Sequence, residues 1–272
     1  MKNRLAYIQR AAYIAREYFH TYIWIRRKEC LTPLGFRLIS GSYAANRQMQ
    51  TGEFEQEEVS IIKDILKSAS VFIDIGANIG FYTCVALHMG KRAIAIEPKR
   101  SNLDLLYRNM SINGWNDVEV YPVGLNEKPE LRHLYGATGT AASLLKGWAG
   151  HSERFYEIIP TTTLDNLLSG GGYDQDVFIK IDVEGAEYFV LKGATKILSR
   201  RQKTKWLVEI CFNEYHSSEM NPHYYDTFAM MWDHGYQAYT ANAERRVITK
   251  DDVTKWIKNN TCDSGVINYL FM

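Results

Sequence analysis

The sequence predicts an α/β protein in which a mostly parallel sheet is covered by helices on both faces. Two observations predict this fold class: continuously apolar segments of strand length recur along the chain, and helical stretches separate them. Strands buried on both faces are continuously apolar, and parallel strands are joined by helical crossovers. The length of 272 residues fits one large domain, or one domain with an extension.

The alternation can be followed element by element. Strands are predicted at 71–75, 92–97, 118–123, 177–181 and 206–210, and helices at 57–66, through 103–106 and from about residue 186. Residues 126–163 interrupt this rhythm, and we interpret them as an inserted hairpin and loop beside the functional site. The three glycines at 170–172 are predicted to form a flexible connector before the fourth strand.

Composition and charge exclude several classes of protein. Hydrophobic residues make up 46% of the chain and charged residues 23%, which is typical of a soluble globular protein and not of disordered, collagenous or coiled-coil chains. The net charge of +1 argues against a protein that binds nucleic acid through the phosphate backbone.

Cysteine spacing and hydropathy indicate a cytoplasmic location. The four cysteines are too far apart for a disulfide framework or a CxxC zinc pattern, so free thiols in a reducing compartment are expected. No uncharged apolar run approaches the roughly 20 residues that span a bilayer. Charged residues near the N-terminus argue against a signal peptide.

The first 30 residues differ from the rest of the chain. They hold seven basic and two acidic residues, a net charge of +5, which leaves the remainder slightly acidic at −4. Apolar residues recur there at helical spacing, so residues 1–31 are predicted to be a basic amphipathic helical extension of a domain at 32–272. Such a helix either touches an anionic membrane surface or packs on the main domain or a second subunit.

A glycine-rich turn follows the first predicted strand. Gly76 allows a sharp turn and Gly80 allows the backbone to approach a ligand closely. Glu97 follows 21 positions after Gly76 at the end of the second strand, where a carboxylate can accept hydrogen bonds from both ribose hydroxyls. This arrangement predicts a site for an adenosine-containing cofactor.

The turn does not fit a dinucleotide. Asn78 and Phe81 stand where the G-x-G-x-x-G pattern needs glycines, and a phosphate-binding G-x-x-x-x-G-K-[ST] pattern is also missing from the turn. An acidic residue, Asp74, ends the strand instead. Carboxylates repel a pyrophosphate but suit a ligand that carries an ammonium and a sulfonium group, which describes S-adenosylmethionine.

An acidic cluster follows the fourth strand. Asp182 lies at the carboxyl end of that strand and Glu184 just beyond, where open α/β sheets bind ligands. These carboxylates could bind the amino group of the cofactor, orient or deprotonate an acceptor hydroxyl, or hold a divalent cation, so metal dependence stays open and no metal ligand is assigned. Lys180 lies inside the strand and needs a partner, for which Glu209 is the expected residue.

These motifs resemble the FkbM family of S-adenosylmethionine-dependent methyltransferases. The matching segments are 72–83, Glu97-Pro98 with Asn102, Asn109 and Asn113-Gly114, 161–168, 179–187 and 207–210. The resemblance implies a Rossmann-like class I methyltransferase fold with a seven-stranded sheet, and O-methylation of a hydroxyl, mostly of sugars in glycans and glycolipids or of secondary metabolites. By the same resemblance the cofactor-binding residues are Asp74, Gly76, Ala77, Asn78, Gly80, Glu97, Pro98, Asn126 and Asp182.

Four side chains are candidates for the base that accepts the hydroxyl proton: Asp182, Glu184, Glu209 and His216. Asp182 and Glu184 are favoured because both lie at the cofactor end of the sheet. The predicted partners are the cofactor and a hydroxyl-bearing, sugar-like acceptor. Alternatives are a non-sugar metabolite, nucleic acid or protein as acceptor, or a non-catalytic scaffold. The Asn/Asp-Pro-Pro-aromatic motif typical of base methylation is missing after the fourth strand, which disfavours nucleic acid.

Overall fold

The computed structural model describes residues 29–40, 43–137, 139, 141–170, 175–200, 202, 204–216 and 220–272, together with residues 12 and 15. The predicted N-terminal helix and part of the glycine connector at 170–172 therefore lie outside the described residues. Within the described part of the chain, no helix is both long and apolar enough to cross a membrane.

The described residues contain thirteen strands and nine α-helices. The strands are β1 (Cys30–Leu31), β2 (Arg37–Leu38), β3 (Val71–Ile75), β4 (Arg92–Ile96), β5 (Glu119–Tyr121), β6 (Gly124–Leu125), β7 (Glu130–Tyr135), β8 (Tyr156–Thr162), β9 (Val177–Ile181), β10 (Lys205–Glu209), β11 (Ala238–Thr240), β12 (Val247–Ile248) and β13 (Asn268–Phe271). The helices are α1 (Tyr43–Thr51), α2 (Gln56–Leu66), α3 (Phe81–His88), α4 (Arg100–Ile112), α5 (Leu164–Leu167), α6 (Glu187–Lys192), α7 (Thr195–Leu198), α8 (Tyr224–Asp233) and α9 (Lys250–Asn259).

The main sheet has the order β12-β11-β13-β10-β9-β3-β4-β5. The five strands from β10 to β5 are parallel, and β13, β11 and β12 are antiparallel to their neighbours. The α/β prediction is confirmed, but the main sheet has eight strands, one more than the expected seven. The additional strand is β12, whose two residues are too short to produce a periodic pattern in the sequence.

The central strands are buried because helices cover both faces of the sheet. All five residues of β3 and all five of β9 are buried. Alternate residues of β3 contribute to two separate cores: Val71, Ile73 and Ile75 face one, and Phe72 faces the other. Asp74 shares the face of Phe72 and is the register partner of Lys180 on β9. Two ionisable side chains therefore lie side by side in the sheet interior, at its carboxyl end.

The β1–β2 hairpin is fastened to α4 by two asparagines. Asn109 accepts a hydrogen bond from the Ile39 N–H and donates to the carbonyl oxygens of Ile39 and Ile79, while Asn113 exchanges two hydrogen bonds with the Arg37 backbone. The structure thus uses these family-like asparagines as backbone braces. The predicted boundary between residues 31 and 32 falls within this hairpin.

The interruption at 126–163 contains a hairpin, as the sequence predicted. Strands β7 and β8 pair antiparallel, and β6 pairs parallel with β8 to complete a three-stranded sheet. The remainder, including a short 3-10 turn at Trp148–Gly150, is irregular. We call residues 126–163 the insertion.

Candidate active site

The carboxyl ends of β3 and β9 meet where the strand order of the sheet reverses, the place where open α/β sheets bind ligands. Gly76 ends β3 with φ +82°, and a Cβ there would lie 1.8 Å from the carbonyl oxygen of Asp182. The Asp182 N–H donates to the Ile75 carbonyl at 3.0 Å. Only glycine fits this contact, so the turn after β3 and the loop after β9 form one surface.

Glu97 organises the glycine-rich turn. Its Oε2 accepts the Asn78 N–H at 2.8 Å and its Oε1 accepts the Lys99 N–H at 2.8 Å. Asn78 holds the left-handed conformation, with φ +52°. Burial raises the pKa of Glu97 to about 7, although these hydrogen bonds oppose the shift. The residues predicted for cofactor binding from Asp74 to Gly80 therefore converge with Glu97, and the adjoining Pro98 is half-buried.

Asp74 is almost completely buried beneath the turn. Its Oδ2 accepts the hydroxyl hydrogen of Thr83 at 2.6 Å. Burial raises the pKa of Asp74 to about 6, and the nearby charge of Lys180 opposes the shift. A carboxyl placed in this way holds the start of α3 against the end of β3.

Lys180 is the buried cation of the site, with 2% of its surface exposed. Its Nζ lies 2.8 Å from Oδ2 of Asp182, 3.5 Å from Oε1 of Glu58 and 4.8 Å from the centre of the Tyr82 ring. Burial alone would lower the pKa of Lys180, but the neighbouring carboxylates outweigh it and raise the pKa well above its usual range.

The expected Lys180–Glu209 pair is wrong. Leu207, not Glu209, is the register partner of Lys180, and the ion pairs of Lys180 go to Asp182 and Glu58. Glu209 ends β10 and accepts a weak hydrogen bond from the thiol of Cys211 at 3.6 Å. Burial and the charge of Asp182 raise its pKa well above the usual range.

Sequence reasoning missed the acidic start of α2. Glu58 reaches Lys180 and accepts a hydrogen bond from Asn268 at 3.0 Å, and Glu55 accepts one from the hydroxyl of Tyr82. The sequence does show four glutamates within residues 53–58. Acidic residues also stabilise the N-terminus of a helix, so this cluster alone did not indicate a partner for Lys180.

A groove of about 710 Å³ opens beside this acidic segment. Glu58 lines it and also pairs with Lys180, the buried cation that binds Asp182. Its polar lining comes from Glu53, Glu55, Gln56, Glu57, Glu58, Glu214, Ser264 and Asn268.

The loop after β9 is held by two glutamates. Glu187 is buried, and its Oε1 accepts the N–H groups of Val183 and Gly185 at 3.1 and 3.0 Å. Glu184 accepts hydrogen bonds from the indole N–H of Trp148 at 2.7 Å and from the Ala141 N–H at 3.1 Å. Burial raises the pKa of Glu187 to about 8 and that of Glu184 to about 7.

Two predicted residues remain, His216 and Asn126, and the structure places them in different surroundings. His216 packs edge-to-face on Trp148, with ring centroids 4.7 Å apart, and its Nε2 is buried without a hydrogen-bond partner among the described residues. Burial lowers the pKa of His216, which favours the neutral imidazole. Asn126 lies beyond β6, where its side chain donates to Glu130 at 3.0 Å.

Two large aromatic side chains, Tyr224 and Trp148, are buried. Tyr224 is 1% exposed, with its hydroxyl 3.0 Å from that of Tyr269, and Trp148 is 2% exposed.

Among the described residues, no group of three or more His, Cys, Asp or Glu side chains is arranged to hold a metal ion.

Comparison with known protein families gives one match. A family model described as the methyltransferase FkbM domain matches residues 74–238, more than half of the chain. No curated protein matches the sequence.

Three solved structures resemble the chain at low identity. Cofactor-bound Rv0187 from MTB is 16% identical, with 80% of this chain and 78% of that chain covered and a TM-score of 0.44. The O-methyltransferase from Bacillus cereus in complex with SAH is 13% identical, with 94% and 96% covered and a TM-score of 0.43. Precorrin-6y C5,15-methyltransferase from Geobacter metallireducens GS-15 is 15% identical, with 68% and 74% covered and a TM-score of 0.39.

The buried carboxyl of Glu187 predicts a pH dependence of stability. Because its pKa rises from an ordinary 4.5 to about 8 on folding, the stabilising proton is lost as the pH rises through that range. Glu187→Gln should therefore lose less unfolding free energy between pH 5.5 and pH 8 than the wild type does, as measured by chemical denaturation at both pH values. Glu244→Gln, at an exposed position, is the control and should keep the wild-type slope. An unchanged slope in Glu187→Gln contradicts the assignment.

Proposed function

The chain belongs to the methyltransferase FkbM domain family, as its motifs predicted, and we propose that it transfers a methyl group from S-adenosylmethionine to a hydroxyl of a sugar in a glycan, glycolipid or glycosylated metabolite. The observation that carries this proposal is the meeting of three features at one edge of the sheet. They are the turn organised by Glu97, the carboxylate of Asp182 and the groove that Glu58 lines.

The turn fits S-adenosylmethionine by its chemistry. This cofactor supplies an electrophilic methyl group on a sulfonium, and it also carries an ammonium group and a ribose. A carboxylate has about four lone-pair sites. Glu97 receives three described hydrogen bonds, which leaves about one lone-pair site for a ribose hydroxyl. The carboxylates of Asp74 and Asp182 suit the positive charge. The residues proposed to hold the cofactor are Asp74, Gly76, Ala77, Asn78, Gly80, Glu97, Pro98, Asn126 and Asp182.

Asp182 is the best-placed candidate for the base. Lys180 binds its Oδ2, and Oδ1 receives no hydrogen bond from the described residues. The side chain is 30% exposed, so an acceptor hydroxyl can reach it. Both oxygens of Glu184 already accept hydrogen bonds, and Glu209 lies one strand farther along the sheet. His216 remains the second candidate because its neutral Nε2 has no described partner.

The groove supports a polyhydroxylated acceptor. Carboxylates and amides accept hydrogen bonds from hydroxyl groups, and they dominate the polar lining. Five of the lining residues are glutamates, which repel phosphate and so disfavour a nucleic-acid strand in this groove. A neutral sugar fits this lining better than an anionic chain does.

The first prediction from this proposal concerns the cofactor alone. Isothermal calorimetry should show that the protein binds S-adenosylmethionine, and Glu97→Ala should weaken binding at least about tenfold, since the variant removes an acceptor for a ribose hydroxyl and releases the turn. Glu244→Ala, at an exposed position, is the control and should bind like the wild type. If the wild type does not bind the cofactor, the proposed function fails.

The second prediction concerns methyl transfer. With labelled cofactor, glycans, glycolipids and glycosylated metabolites should accept label, and non-sugar metabolites, RNA and protein should not. Asp182→Asn should lower kcat at saturating cofactor roughly 100-fold, a usual contribution of a general base, and should weaken cofactor binding less than Glu97→Ala does, because the side-chain oxygen is kept. Full activity of Asp182→Asn removes it as the base, and label on RNA or protein alone contradicts the acceptor class.

The third prediction concerns the basic residues that precede the domain. We propose that residues 1–31 are an extension that carries the enzyme to an anionic membrane surface, where lipid-linked acceptors lie, and that 32–272 is the methyltransferase domain. The full chain should co-sediment with vesicles containing anionic lipid and not with neutral vesicles, and changing Arg26, Arg27 and Lys28 to Gln should weaken this binding. Equal binding to both vesicles, or a stable dimer in ultracentrifugation without vesicle binding, contradicts the membrane role.

A further inference from the structure

We propose that Glu184 is a positioning residue that fastens the insertion to the loop after β9, and that it does not act as the base. This inference rests on the proposed function, because the loop it positions carries Asp182. The insertion thereby becomes part of the site.

Three hydrogen bonds join the insertion to Glu184. Its Oε2 accepts the indole N–H of Trp148 at 2.7 Å, its Oε1 accepts the Ala141 N–H at 3.1 Å, and its backbone oxygen accepts the hydroxyl of Ser143 at 2.6 Å. Ser143 also exchanges two backbone hydrogen bonds with Tyr135 at the end of β7. The connection therefore reaches from the loop after β9 into the hairpin sheet.

The conformation of the loop depends on this connection. Glu184 has φ +58°, a left-handed conformation that is unfavourable for a non-glycine residue. The next residue, Gly185, has φ +94°, and a Cβ there would lie 2.4 Å from the ring of Trp148. The ring occupies the space that a side chain would need, so the insertion fits closely onto this part of the loop.

The same contacts fix the two best candidates for the base. Asp182 lies two residues before Glu184, and Glu187 holds the intervening backbone by accepting the Val183 N–H. Trp148 packs on His216, and the Ala149 N–H donates to the Tyr215 carbonyl at 2.7 Å. The insertion therefore holds the loop after β9 and the loop after β10 in one arrangement. A carboxylate used in this way has both oxygens engaged and is poorly placed to accept a proton from a substrate.

The test compares Glu184→Gln, Trp148→Phe and the double variant. Phenylalanine keeps a ring against Gly185 but lacks the indole N–H, so it removes the hydrogen bond and leaves most of the packing. Hydrogen–deuterium exchange of residues 141–150 should accelerate roughly tenfold in each single variant, and kcat should fall by a similar factor in each. The amide of glutamine has one oxygen and can accept only one of the two N–H donors, so both single variants weaken the same connection, and the double variant should be little worse than either of them.

Trp256→Phe is the matched control. Trp256 is a buried tryptophan whose indole N–H also donates to a carboxylate at 2.7 Å, that of Asp263, outside the insertion. Its replacement should leave exchange within residues 141–150 unchanged. Should Glu184→Gln fail to fold, Trp148→Phe alone decides, since the proposal requires faster exchange and a lower kcat in that variant.

A different pattern overturns the proposal. If Glu184→Gln abolishes turnover while Trp148→Phe keeps wild-type kcat and exchange, Glu184 is the base. Additive effects in the double variant also contradict the connection. The exchange measurement needs neither cofactor nor acceptor. A protein that fails to bind S-adenosylmethionine therefore refutes the proposed function, while the exchange result still reports on the contact between Glu184 and the insertion.

Discussion

The buried ammonium of Lys180 is the interaction on which the arrangement of the site depends. A charge in the sheet interior is costly unless it is paired, and Lys180 is paired with Asp182 and Glu58 and lies beside Asp74 in the sheet register. These partners come from β9, α2 and β3, so one cation joins three elements at the carboxyl end of the sheet. The carboxylates depend on Lys180 in turn, because they would repel one another without its positive charge. Lys180 therefore acts on the site through the positions of its neighbours.

Buried carboxyl groups give this edge of the sheet a particular electrostatic character. The pKa values of Asp74, Glu97, Glu184 and Glu187 rise to about 6, 7, 7 and 8, chiefly because burial disfavours their charged forms. A positively charged ligand bound nearby favours the ionised forms and lowers these values. Binding of a sulfonium cofactor near neutral pH should therefore be accompanied by proton release. Without a bound cationic ligand, part of these carboxyl groups stays protonated, which lets the protein tolerate their burial. When they ionise, this edge of the sheet becomes complementary to a cationic ligand.

The sequence predicted the glycine-rich turn proposed to hold the cofactor far better than the groove proposed to hold the acceptor. The strands 71–75 and 177–181 were predicted with their observed bounds, because both are continuously apolar runs, and the spacing from Gly76 to Glu97 identified the turn. The strands β11, β12 and β13 were not located, because segments of three, two and four residues are too short to show a periodic pattern. The partner of Lys180 was predicted wrongly because Glu58 comes from a helix packed across the sheet face, and helix packing leaves no mark in strand alternation. The Trp148–Glu184 bond was equally invisible, since irregular loops have no repeat.

This difference in predictability follows from how the turn and the groove are built. The turn proposed to hold the cofactor is fixed by strands, by a glycine whose Cβ would meet backbone at 1.8 Å and by hydrogen bonds to Glu97, so few substitutions are tolerated there. The groove proposed to hold the acceptor is lined by the start of α2 and by loop residues, where sequence can vary more freely. Variation in the insertion affects the proposed base, because Asp182 lies in the same loop as Glu184. The backbone of that loop is also held by Glu187 and by the contact of Gly76 with Asp182. Substitutions in the groove wall that leave the Trp148–Glu184 contact intact are therefore expected to change acceptor specificity while the position of Asp182 relative to the glycine-rich turn is kept.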